Sequence, residues 1–189
     1  MGHPISLSVS DDLRRTRLTV AFRLILAIPH LIWASLWGIV VYLAVIVSWF
    51  ATLFAGTTPK GLHDFIAQYL RYVTQLYGYL LFLADPYPGF LGDRDYPTDL
   101  TVAPPAPQNR WKTAFRLILA IPAHILNTII GYLVFVLAVF SWFACLFTGS
   151  MPRGLLNLSA WTVRFGAQTN GYLALLTDRY PSFSTDPRE

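Results

Sequence analysis

Between Arg23 and Lys60 the chain runs for 36 residues without an aspartate, glutamate, lysine or arginine, and between Arg116 and Arg153 it does so for another 36. Each stretch exceeds the ~20 apolar residues that cross a hydrocarbon core. The chain as a whole is 54% hydrophobic and 13% charged, against roughly one-quarter charged in ordinary soluble domains. Composition therefore points to lipid. A cleavable signal peptide is a poor alternative, because the first run ends in Gly56 and Pro59 rather than at a small-residue cleavage site, and the pattern recurs internally. The single cysteine, Cys145, has no intrachain disulfide partner and reads as a small buried apolar side chain.

The two runs are copies. An offset of 93 aligns Ala21 to Phe90 with Ala114 to Phe183 without a gap, and 33 of the 70 pairs, 47%, are identical. The matches include "FRLILAIP" in both halves and "SWFATLFAGTTPKGL" against "SWFACLFTGSMPRGL", and they end on "DPYPGF" against "DRYPSF". A fixed period of this kind marks one structural unit written twice. The boundaries follow: a polar N-terminal tail, 1–12; repeat 1, 13–90; a Pro- and Asp-rich linker, 91–109, expected to be extended and in water; repeat 2, 110–183; and a C-terminal tail, 184–189.

As one straight helix a 36-residue run would extend roughly 54 Å, too long for a ~30 Å core. Pro29 and Pro122 are the expected breaks, since proline removes a helix hydrogen bond. Leu13 to Ile28 then reads as a basic amphipathic helix at the interface, and about Leu31 to Ala55 as the span. "GTTPKG" has turn chemistry, and Leu62 to Ala84 is long enough to return. The expected fold is an all-α integral membrane protein with four transmembrane helices, in two parallel two-helix repeats each preceded by an interfacial helix. A competing layout turns the long run back near Gly38 and lays Leu62 to Ala84 flat; its pieces of about 21 and 26 Å are short for crossings.

Sorting the 14 basic residues puts ten with the termini and linker, two (Lys60, Arg153) with the hairpin turns and two (Arg71, Arg164) within the spans. The positive-inside tendency then places both termini and the linker in the cytoplasm of a multi-pass membrane protein.

Two constellations recur. Asp64, Gln68, Arg71, Gln75 and Gly78 share one helical face, and Asn157, Arg164, Gln168 and Gly171 repeat it. This polar seam reads either as a binding cleft or as arginines reaching headgroups and glutamines bridging helices. Arg23 with Asp85, and Arg116 with Asp178, are expected to pair at the interface, because a carboxylate at a helix C-terminus needs a partner other than the helix dipole. His30 and His124 fall one position out of register, which disfavours a cofactor. No metal-ligand cluster, nucleophile elbow, P-loop or dinucleotide fingerprint occurs. The basic residues flank the apolar runs, so anionic phospholipid headgroups are the expected counterpart, not nucleic acid.

"FRLILAIPH", "SWFATLFAGTTPKGLHDF" and "DPYPGF", with their second copies, resemble the bacterial membrane family known as domain of unknown function 4389 (DUF4389), over residues 17 to 90 and 110 to 183. The resemblance implies a small integral membrane protein with repeated units and brings no catalytic residue with it. Asn157 in place of Asp64 departs from the repeat. The expected function is a non-catalytic accessory or scaffold subunit alongside other integral membrane subunits. The alternative is a small transporter or lipid-handling protein with an arginine-lined cleft.

Overall fold

The computed structural model describes residues 2–10 and 12–183; the C-terminal tail at 184–189 lies outside the described residues. Strand β1 (Ile5–Val9) leads into a 39-residue helix, α1 (Arg17–Ala55), and a shorter helix, α2 (Lys60–Leu80). Strand β2 (Thr98–Val102) and a single helical turn, α3 (Arg110–Ala114), precede the 33-residue α4 (Arg116–Thr148) and α5 (Arg153–Leu173). Gly56 and Gly149 end the long helices at φ 78° and 71°, each returning its N–H to the carbonyl four residues earlier. This left-handed cap costs glycine nothing, and Pro59 and Pro152 then open α2 and α5.

Three layers result. α1 packs on α2 and α4 on α5, α2 packs on α5, and the β ribbon lies across α2 and α5. One core unites them, with Ile5, Leu7 and Leu100 from the ribbon, Ile66 and Leu70 from α2, and Val41 from α1.

The structure departs from expectation in four ways. Pro29 and Pro122 lie inside continuous helices, so no separate interfacial helix precedes the first repeat. Ala27 and His30, buried on either side of Pro29, hold consecutive turns against α2 and offset the one lost hydrogen bond. Among the described residues, only α1 and α4 are long and apolar enough to cross a membrane. Four transmembrane helices are thus not supported: α2 and α5 are long enough, but tyrosine, threonine, glutamine and arginine make up much of them.

The fold is also not purely helical. The N-terminal tail and the linker each contribute a strand, pairing antiparallel with Ile5 opposite Val102 and Leu7 opposite Leu100. Ile5 and Leu100 are fully buried, which is what draws these short segments out of water. The offset of 93 maps Ile5–Val9 onto Thr98–Val102, so the duplicated unit begins at the strand.

Finally, the repeats are not parallel neighbours. Trp49 Nε1 donates to the Thr113 carbonyl (2.9 Å), and its equivalent Trp142 donates to that of Val20 (3.1 Å), the equivalent of Thr113. Gln108 N–H meets the Gly56 carbonyl and Arg15 N–H that of Gly149. Each end of α1 thus meets the opposite end of α4, and a pseudo-twofold exchanges the halves. The same contacts undo the two-sided sorting of basic residues. The N-terminal segment and the linker, assigned to one side, hydrogen-bond directly to the turns assigned to the other.

Candidate functional site: two arginine cages and an inter-repeat groove

Each repeat buries one guanidinium, and the local backbone is shaped around it. α2 and α5 end in residues held at positive φ, Phe82 at 61° and Leu175 at 63°, a conformation costing a non-glycine residue about 1 kcal/mol. The bend turns successive carbonyls inward. Arg23, 1% exposed, donates Nη1 to the carbonyls of Tyr79 (2.7 Å) and Ala84 (3.2 Å) and Nη2 to Asp85 Oδ1 (2.8 Å). Its guanidinium lies over the Tyr79 and Phe82 rings, 4.3 and 4.5 Å from their centres. Arg116 repeats the cage on Tyr172 (2.6 Å) and Thr177 (2.9 Å), with Asp178 at 3.3 Å and Gln108 Oε1 at 2.7 Å. The structure thus brings together both sequence-predicted pairs.

The carboxylates have a second duty. Asp85 accepts from the Thr16 N–H (3.1 Å) and hydroxyl (2.9 Å) at the start of α1, where a negative charge is favoured by the helix dipole. Arg15 donates from Nε and Nη2 to the Phe82 carbonyl, and Gln108, its equivalent, donates to that of Leu175. Burial pushes the Tyr79 and Tyr172 phenols above the ordinary tyrosine range, which keeps the rings facing the arginines neutral.

The predicted polar seam divides. Arg71 Nε binds the Leu100 carbonyl (3.1 Å) and lies 3.2 Å from Asp99, Gln75 donates to the Asp93 carbonyl (2.5 Å), and Gln168 donates to that of Ile5 (3.1 Å). These side chains tie the ribbon and linker to the middle layer. Arg164, 5% exposed, borders a groove of about 830 Å³ beside β1 with Asn157 and Trp161. Asp64 stands apart, exposed and paired with Lys60, which holds its carboxyl below the ordinary aspartate range.

Two features escape a reading of the sequence. His30 is fully buried, 2.8 Å from the Tyr72 hydroxyl and stacked on Phe90 at 4.2 Å; "DPYPGF" thus latches onto α1, with Phe90 accepting from Trp33 Nε1. The other is a cavity of about 260 Å³ between α2, α4 and α5, lined by Thr74, Asn127, Gly131, Thr162, Gly166 and Asn170 among others. The equivalent space in repeat 1 is filled. Trp37 packs on Phe65, Tyr69 and Tyr72, where repeat 2 has Ile130, Leu158, Thr162 and Phe165. Paired alignment of the repeats carries that signal, as aromatic residues facing small ones. Among the described residues, no group of three or more His, Cys, Asp or Glu gathers as a metal site.

A family described as a domain of unknown function, DUF4389, matches residues 17–92 and again residues 110–185. No curated protein and no solved structure matches the chain.

Proposed function

The chain belongs to the DUF4389 family, and from that premise we propose that it is a membrane-embedded, non-catalytic accessory or scaffold subunit of a larger assembly in the cytoplasmic membrane. The observation that carries this reading is where the apolar surface lies. Of the large hydrophobic residues exposed among the described ones, 18 belong to α1 and 15 to α4. Only 22% and 17% of their most apolar windows are buried, whereas the core helix of a soluble protein is mostly buried. Apolar faces this large need a lipid or protein partner. Arg14, Arg17, Arg110, Lys112 and Arg153 flank those faces, a placement suited to anionic headgroups. The buried cations Arg23 and Arg116 are engaged by the chain's own carbonyls and carboxylates, which supports a structural rather than catalytic role. Purification from native membranes under conditions that preserve complexes is expected to recover other integral membrane subunits in stoichiometric amounts; a lone monomer or homodimer would count against the proposal.

The groove at Arg164 and the cavity in repeat 2 favour a second reading, a lipid-handling protein. Under it, Arg164→Leu leaves the protein inserted but abolishes retention of anionic phospholipid, read by mass spectrometry of co-purified lipid. Unchanged lipid would exclude it.

A further inference from the structure

We infer that α1 and α4 lie within one leaflet, embedding the protein from a single face of the membrane, so that both turns, the linker and the ribbon share one aqueous side. The inference rests on the membrane reading above and concerns how the chain sits there.

Three observations carry it. The exposed apolar residues of α1 run from Leu18 to Phe54 and those of α4 from Leu117 to Phe147. At about 1.5 Å per residue those faces extend roughly 54 and 45 Å along the helices, well beyond a ~30 Å core. A helix about 10 Å thick lying in the plane fits one ~15 Å leaflet and uses its whole apolar length.

Second, the ribbon and long helices lie on opposite sides of the α2/α5 layer. Leu100 is held by Arg71, and its helical neighbours Tyr69 and Tyr72 reach Ala34 and His30 near the middle of α1. Were α1 and α4 to cross the bilayer, this two-stranded sheet, whose outer edges carry no third strand among the described residues, would sit at hydrocarbon depth. So would the exposed Asp93, Arg94 and Asp95 before it, whose linker backbone Gln75 holds. Open sheet edges and charged irregular backbone are strongly unfavourable facing lipid, where no water satisfies them.

Third, the turn at Gly56 hydrogen-bonds to Gln108 and the turn at Gly149 to Arg15. A crossing orientation would therefore need the two repeats inverted, with the Gly56 and Gly149 turns on opposite sides. In-plane embedding keeps both at one surface.

Single cysteines introduced into the full chain on a Cys145→Ala background test this, using a membrane-impermeant maleimide on intact cells and on inverted membrane vesicles. Thr57→Cys at one turn, Arg153→Cys at the other and Thr101→Cys on the ribbon should all label from the same side, while Leu43→Cys and Val136→Cys resist from both. Labelling of Thr57→Cys and Arg153→Cys from opposite sides, or protection of Thr101→Cys from both, overturns the inference and leaves membrane embedding standing. Labelling of Leu43→Cys together with release of the protein by alkaline carbonate overturns both.

Discussion

At one end of the molecule the start of α1 meets the end of α4 through Val20, Phe82, Cys145 and Met151, an apolar junction. At the other end the equivalent positions are Thr113, Leu175, Thr52 and Thr58, and the junction is hydrogen-bonded. The Thr52 and Thr58 hydroxyls lie 2.9 Å apart, and Thr58 and the Gln108 amide both donate to the Leu175 carbonyl. The backbone contacts around the two junctions are the same, glycine carbonyl to incoming N–H and tryptophan to carbonyl. The pseudo-twofold is therefore held by backbone geometry and two tryptophans, and side-chain chemistry is free to differ so long as each set is self-consistent. The cavity teaches the same lesson: Gly38 has the Tyr69 hydroxyl 2.7 Å from where a Cβ would stand, whereas Gly131 has nothing within 4 Å.

The largest effects should come from what the halves share. Arg23→Leu and Arg116→Leu each take the cation away from a carboxylate and leave two inward carbonyls without it, and each is expected to cost about 3–5 kcal/mol, read as loss of folded protein in thermal melts in detergent. A clear inequality between them would show that one cage alone holds the fold. Next come substitutions that make one half resemble the other. Trp37→Ile opens a cavity where repeat 1 has none and should cost about 2–4 kcal/mol; the same melts giving under 1 kcal/mol would mean that the aromatic plug is not packed.

Glycine gives the sharpest contrast. Gly131→Ala, in open space within a helix, should stabilise by about 0.5–1 kcal/mol, whereas Gly38→Ala must displace Tyr69 and should destabilise by about 1 kcal/mol or more. Equal signs in chemical denaturation would refute the asymmetry of the cavity. At the junctions, Thr58→Met leaves Thr52 without its partner and should cost about 1–2 kcal/mol; adding Thr52→Cys, which copies the apolar end, should recover part of it.

The smallest effect concerns pH. Burial holds His3 below its ordinary value of 6.5, so the folded ribbon binds fewer protons than the unfolded chain, and stability present above that value declines as pH falls below it. The protection of the β1 amides, their exchange taken relative to the intrinsic rate at each pH, should fall on acidification from neutral pH, and His3→Gln should remove that dependence.

Much of the architecture was legible because it is written twice. The offset of 93, the arginine–aspartate pairs and the glycine-capped turns recur in both halves, so each copy vouches for the other. The strands were not legible: "ISLSV" and "TDLTV" share only a leucine and a valine, and their partner lies some 90 residues away. Length misled at α2 and α5: a run of over 20 residues suffices for a crossing, but Tyr69 and Tyr72 bond to α1 while Arg71, Gln75 and Gln168 bond to the ribbon and linker. Proline misled at Pro29, because local propensity yields to packing on both sides of it. The direction in which the repeats meet was beyond reach, since charge sorting presumes that linker and turns lie apart.

The register of the ribbon has a historical consequence. Leu7 sits opposite Leu100, its own counterpart, and Ile5 opposite Val102 mirrors Val9 opposite Thr98, so exchanging the halves maps the ribbon onto itself. A chain carrying one unit could close the same ribbon only by pairing with a second copy of itself, as a homodimer with a self-complementary interface. Fusion into one polypeptide makes that pairing intramolecular and lifts the requirement that both partners carry identical residues. The polar junction, the apolar junction and the cavity in a single half are what such a fused dimer becomes free to acquire.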